Sequence, residues 1–189
     1  MTPRRPGPPA CRDRRGPPPY GGRVTEVQAD TATATARLKE RLYATITMIS
    51  VVVGLGASGH VEPGGAAATV ATASAGLWLA SVVADQQAHR VVHGSLAGGQ
   101  ELRTMLFVSS PLLLSAVGPL LLIAAAALGV MELETALVTA AAVNVAALFA
   151  WGCHGGVRMG GGTVFALAAG AVDAAIGTAV AVVKAAAGH

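Results

Sequence analysis

Long apolar runs alternate with short polar segments along most of this chain, from about residue 30 to residue 189. Runs of this length with few charges are typical of helices that cross the hydrocarbon core of a bilayer. The pattern predicts an all-α, polytopic membrane helical bundle with about five transmembrane helices. The predicted spans cover about 42–57, 66–84, 111–130, 135–151 and 163–184.

Polar and glycine residues predict where the first two helices begin and end. Asp30 or Thr31 can cap the first helix, because a short polar side chain can accept a hydrogen bond from a free backbone N–H group. The second helix is predicted to continue through the polar residues 85–93. The glycines within 94–99 then end it.

Proline and glycine mark the boundaries of the later helices. Ser110 is a predicted N-cap, with Pro111 at the first helical position of the third span. The pair Gly118-Pro119 is predicted to interrupt that span, since proline removes a backbone hydrogen bond. The glycine-rich residues 152–162 predict a loop between the fourth and fifth spans.

Residues 1–29 differ in composition from the rest, with Arg, Pro and Gly in place of apolar residues. Such a segment has no apolar surface to bury and is predicted to be a disordered cytoplasmic tail. It also holds much of the positive charge behind the formal net charge of +3. Only 12% of the residues are charged and 53% are hydrophobic, so we interpret this charge as a topology signal and predict no nucleic-acid partner.

The charges between the spans predict the orientation. With the N-terminus inside the cell, the inner segments contain the basic tail, Arg90, Arg103 and Arg158. The outer turns contain Glu62, Glu132 and Glu134, and Lys184 is the one basic residue outside. This distribution follows the positive-inside rule. The bias toward Ala, Gly, Arg and Pro suggests a bacterial source. The sequence therefore predicts a multi-pass protein of a bacterial plasma membrane.

Asp173 lies near the middle of the fifth predicted span and is the first candidate for function. A carboxylate at the bilayer centre costs about 2.5–3.5 kcal/mol on insertion scales, and such residues often mark transport pathways. Asn144, Ser50 and Ser115 fall at similar depth. Together these side chains could form a polar site inside the membrane, with a hydrogen bond between Asn144 and Asp173.

The alternative interpretation of the same residues is structural. Asn and Asp side chains can hydrogen-bond two membrane helices to each other, and serines are well tolerated in such helices. A non-catalytic role in structure or assembly is the first functional prediction. A small transporter or channel around Asp173 is the second.

A second candidate site lies at the inner membrane surface. Asp85, His89 and His93 recur every four residues, so one helix face presents all three, and Cys153 and His154 emerge on the same predicted side. Imidazole, thiolate and carboxylate groups are the usual ligands of Zn²⁺ and related ions. The alternative is a solvated helix end, where histidines have many other roles.

The motifs of common enzyme classes are not found in the sequence. It contains no nucleophile elbow, zinc-protease motif, kinase signature or phosphate-binding loop. We therefore predict that the protein is not an enzyme and needs no cofactor. The predicted partners are the lipid bilayer and either a second copy of the chain or another membrane protein.

Several short motifs lie between residues 41 and 189, namely Arg41-Leu42-Tyr43-Ala44-Thr45, Leu77-Trp78-Leu79-Ala80, Glu101-Leu102-Arg103, Ala150-Trp151-Gly152 and the ending from Gly177 to Val183-Lys184. In these motifs the chain resembles a group of small actinobacterial integral membrane proteins. This chain has Ser81 and Val83 where that group often carries a His and a Tyr. The resemblance implies the same helix count. That group has no established activity, so the resemblance implies no mechanism.

Overall fold

Helices form nearly all of the described chain. The computed structural model describes residues 21–59 and 61–187, and these ranges contain no strand. The predicted all-α class is confirmed. The helices are α1 (Gly21–Ala57), α2 (Pro63–His93), α3 (Gln100–Leu114), α4 (Val117–Ala127), α5 (Leu133–Arg158) and α6 (Thr163–Ala187).

These helices supply five segments that are long and apolar enough to cross a membrane, counted over the same described ranges. One segment of 28 residues, Gln100–Ala127, combines α3 and α4. The other four lie in α1, α2, α5 and α6. The predicted number of membrane-spanning helices is therefore confirmed.

The chain divides into two units, Met1–Ala34 and Thr35–His189. The first unit, where it is described, is the N-terminal part of α1. This helix begins at Gly21, so the predicted cap at Asp30 or Thr31 is wrong. Its first turns contain Ala, Glu and Gln, which favour helix, and neither glycine nor proline interrupts them after position 22. Residues 21–29 of the predicted tail are helical, and residues 1–20 lie outside the described residues.

The second unit has a core of aliphatic side chains and alanines from several helices. Its members are Met48, Val52, Ala66, Val70, Ala116, Ile123, Leu137 and Ala140. Lipid tails are as apolar as these side chains, so close van der Waals packing holds membrane helices together. Many large aliphatic side chains point outward instead, including Leu121, Val138 and Leu167. Such an apolar outer surface suits contact with lipid.

The third membrane segment has a proline inside a helix and a break in that helix one turn later. α3 continues through Pro111, so the predicted start at Ser110 is wrong. Pro111 has no N–H group to donate to the carbonyl of Phe107, and the Ser110 hydroxyl donates to that carbonyl at 2.8 Å instead. The break between α3 and α4 falls at Ser115 and Ala116, in the turn that precedes the predicted Gly118-Pro119 interruption.

The predicted loop at residues 152–162 is wrong over residues 152–158, which are helical. α5 continues to Arg158, and the turn follows at Gly160, where φ is +75°. Gly152 and Gly156 are buried against α6. The close contact with α6 explains why these glycines extend the helix and do not end it.

The second helix continues through its polar end as predicted. α2 ends at His93, and Gly94 follows in the left-handed conformation with φ of +71°. The side chain of Gln86 then holds the following loop through two hydrogen bonds with the backbone of Ala97. Gln86 Nε2 donates to Ala97 O at 3.1 Å, and Ala97 N donates to Gln86 Oε1 at 3.0 Å.

Candidate functional site

Among the helices α2 to α6, the contact between α5 and α6 is the most extensive pairing. It consists largely of small residues, which allow two helix backbones to approach closely. A Cβ atom at Gly152 would lie 2.7 Å from the Gly170 Cα atom. A Cβ atom at Gly156 would lie 2.6 Å from the Ala166 Cα atom. Neither position has room for any side chain.

Asp173 lies in this contact. A Cβ atom at Gly152 would be only 2.6 Å from Asp173 Oδ2, so the carboxylate occupies the space that the missing side chain leaves open. Asp173 is half-buried at the middle of the fifth membrane segment, Thr163–Val183. Within the described residues its carboxylate has no cationic partner. The sequence placed Asp173 near the middle of the fifth span but did not indicate its contact with Gly152.

The other residues of the predicted intramembrane site bond to their own helices. Asn144 Nδ2 donates to Ala140 O at 2.8 Å, and no hydrogen bond to Asp173 is found among the described residues. Ser50 Oγ donates to Ile46 O at 3.3 Å. Ser115 Oγ similarly donates to Leu112 O at 2.7 Å. Each of these donors is satisfied within its own helix.

The predicted metal ligands on α2 line a groove between α2 and α3. The groove, which we call the histidine groove, has a volume of about 390 Å³. Its walls are formed by Asp85, Ala88, His89, Val92, His93, Thr104, Met105 and Val108. The rings of His89 and His93 stack with their centroids 4.3 Å apart. His89 Nε2 also lies 3.4 Å from Glu101 Oε2, which makes an ion pair when the histidine is protonated.

The predicted metal ligands do not come together as one site. Across residues 21–59 and 61–187, no group of three or more His, Cys, Asp and Glu is placed to hold a metal ion. Cys153 contacts α6, since a Cβ atom at Gly170 would lie 2.5 Å from its sulfur. The ring of His154 meets Trp151 edge-on at 6.1 Å between centroids. Both α5 residues thus have contacts of their own.

Sequence reasoning missed two contacts between helices at the basic end of α1. The Arg37 guanidinium lies 3.6 Å from the centroid of the Phe107 ring, and the Arg41 guanidinium lies 5.0 Å from the centroid of Trp151. These contacts join α1 to α3 and to α5. The four-residue spacing of the arginines could have indicated a shared face. Nothing in the sequence pairs them with those particular rings.

These observations define a class of protein, namely an all-helical chain with five helices suited to a multi-pass membrane protein. Comparison of the chain with protein-family models, with curated proteins and with solved structures found no match. The similarity to small actinobacterial membrane proteins therefore stays a prediction from the short motifs.

Proposed function

We propose that the protein is a multi-pass protein of a bacterial plasma membrane with a non-catalytic role in structure or assembly. One observation carries this proposal. Asp173, the costliest residue of the fifth span, lies in the close contact between α5 and α6. A carboxylate held against the backbone of a neighbouring helix suits a role in fixing how two helices pack.

The hydrogen bonds of the other polar side chains support this role. Asn144, Ser50 and Ser115 donate to carbonyls one turn back on their own helices. Such bonds satisfy polar groups locally, as the hydrocarbon region of a membrane requires. Across the described helices, these donors do not converge on Asp173 in the way that a transport site would need.

The contacts of Arg37 and Arg41 support an N-terminus on the cytoplasmic side. They bring the basic part of α1 next to the first third of the segment Gln100–Ala127 and the last third of α5. In the proposed topology all three regions face the cytoplasm, whereas Glu62 and Glu132 lie at the opposite, outer ends. The proposed partners are lipid and a second copy of the chain or another membrane protein.

A small transporter or channel is the second candidate. It is favoured by the absence of a cationic partner for Asp173 within the described residues, because an unpaired intramembrane acid is typical of proton relays. In this alternative, protonation of Asp173 accompanies transport.

Two substitutions of Asp173 separate these candidates. Asp173→Asn nearly preserves shape and hydrogen bonding but cannot ionise, whereas Asp173→Leu removes the polar group. The structural role predicts that the Asn variant melts like the wild type in detergent and that the Leu variant is less stable. Val172→Leu is the matched control, since Val172 is exposed on the same helix.

Proton flux into proteoliposomes completes the test. The transporter alternative predicts flux in the wild type and its loss in a folded Asp173→Asn variant, which would contradict a purely structural role. Equal stability of the Leu variant and the wild type would also contradict it.

A further inference from the structure

Arg37 and Arg41 lie one turn apart on α1, so their side chains project from the same face of the helix. Each guanidinium group lies over an aromatic ring of a different helix, Phe107 of α3 or Trp151 of α5. The two cations therefore project from one face of α1 toward α3 and α5.

Among the described residues, no hydrogen-bond acceptor is found for either guanidinium group. The ion pair in the described part of the chain is that between His89 and Glu101, so neither arginine is bound to a carboxylate. A guanidinium that stacks on a ring uses its face and leaves its N–H groups free around its edge. Two such forks on one helix face can both donate to a phosphate group, which accepts bidentate hydrogen bonds from arginine.

The surroundings of the two arginines suit a lipid rather than a soluble ligand. The apolar part of α1 begins directly after Arg41, and Phe107, over which Arg37 lies, is 55% exposed. Exposed aromatic rings beside basic residues are typical of the boundary between headgroups and acyl chains. A ligand bound there would place a phosphate at the arginines and apolar chains against the rings.

We propose that Arg37 and Arg41, positioned by Phe107 and Trp151, bind the phosphodiester headgroup of an anionic phospholipid. The rings restrain both guanidinium groups before binding, so little side-chain freedom is lost when the lipid arrives. This site does not depend on either candidate function of the protein.

Native mass spectrometry of the full chain in detergent tests the proposal, with phosphatidylglycerol as the probe and phosphatidylcholine as the neutral reference. Arg37→Gln/Arg41→Gln is expected to weaken phosphatidylglycerol binding roughly thirtyfold and leave phosphatidylcholine binding unchanged. The matched control is Arg103→Gln/Arg158→Gln, which removes the same charge from two exposed arginines that have no aromatic partner in the described structure. An equal loss in both double variants would overturn the site.

Two further variants keep the test decisive if the first one folds poorly. Phe107→Leu/Trp151→Leu keeps both charges but removes the rings, and Arg37→Lys/Arg41→Lys keeps the charge but removes the planar fork. We expect both to lose most of the preference for phosphatidylglycerol. Unchanged preference in either one would contradict the proposal.

Competition with inorganic phosphate distinguishes a lipid from a soluble ligand. Millimolar phosphate is expected to leave phosphatidylglycerol bound, because it lacks the acyl chains that contact the rings. Displacement of the lipid at that concentration would overturn the assignment to a phospholipid.

Discussion

Two adjacent glycines of α5 are expected to respond in opposite ways to the same substitution. A Cβ atom at Gly155 would meet no atom of another residue within 4 Å. A Cβ atom at Gly156 would lie 2.6 Å from the Ala166 Cα atom and 3.3 Å from its backbone nitrogen. Carbon atoms in ordinary contact are about 3.5–4.0 Å apart. Gly156→Ala therefore requires α5 and α6 to separate locally by about 1 Å.

The expected magnitude follows from two opposing effects. Glycine to alanine inside a helix gains up to about 1 kcal/mol from the lower flexibility of the unfolded backbone, and both variants share this gain. Gly156→Ala alone also suffers overpacking, which costs about 1–3 kcal/mol. The backbone of α6 cannot rotate away as a flexible side chain would. The free energy of unfolding of Gly156→Ala should therefore be about 1–3 kcal/mol below that of Gly155→Ala.

Reversible unfolding in mixed micelles of mild detergent and dodecyl sulfate measures this difference, with helix content followed by circular dichroism. The wild-type chain is expected to fall between the two variants or close to Gly155→Ala. If Gly156→Ala is as stable as Gly155→Ala, the close contact between α5 and α6 is not present in the detergent-solubilised protein, and the reasoning is refuted.

Three other predictions concern the end of α2, the proline of α3 and the histidine groove. Gln86→Ala should lower the free energy of unfolding by about 1–3 kcal/mol and speed proteolysis in the loop after α2, because two hydrogen bonds to that loop are lost. Gln87→Ala changes an exposed neighbour and should have neither effect. Ser110→Ala should lower the free energy of unfolding by about 1 kcal/mol, because the hydrogen bond to the Phe107 carbonyl is lost. The loss should be smaller in a Pro111→Ala background, where the N–H group of residue 111 can donate to that carbonyl. An equal loss in both backgrounds would show that the Ser110 hydroxyl does not replace the missing donor of Pro111. Equilibrium dialysis of the purified protein should show no retained Zn²⁺. Retained Zn²⁺ that is lost in the His89→Ala/His93→Ala variant would contradict this prediction and establish a metal site.

The number and type of helices could be predicted from the sequence because the bilayer imposes them. A run such as 66–84 has few alternatives to a membrane helix, since lipid offers no partner for free backbone groups. Helix boundaries were less predictable. Gly152 and Gly156 would end a helix by local preference, yet their contact with α6 keeps them inside α5.

The proline of α3 illustrates a second limit. Ser110 followed by Pro111 is a common way to begin a helix, and the same pair also fits inside one when the hydroxyl replaces the missing donor. Both arrangements satisfy the backbone, so local sequence cannot distinguish them. The packing of the whole segment Gln100–Ala127 decides between them.

The position of the candidate site along its helix was predictable, but its contacts were not. Counting along the sequence placed Asp173 near the middle of the fifth span, and Asp173 is at the middle of the apolar segment Thr163–Val183. Its expected partner Asn144 bonds to Ala140 instead, because the carbonyl one turn back is always within reach of the side chain. Contacts between distant segments, such as Arg41 with Trp151, depend on helix rotation that no local pattern specifies.

The claim on which the proposal depends is that five helices cross the membrane in alternation. Labelling with a membrane-impermeant maleimide tests it most directly, in a background whose two native cysteines are replaced by serine. The variants are Ser58→Cys, Ser95→Cys, Val130→Cys and Met159→Cys, all at exposed positions between the five membrane segments.

We expect intact cells to be labelled at positions 58 and 130, and positions 95 and 159 to be labelled only after the membrane is permeabilised. The reverse pattern would keep five alternating helices but contradict a cytoplasmic N-terminus. Labelling of positions 58 and 95 from the same side would show that α2 does not cross the membrane and would contradict the account.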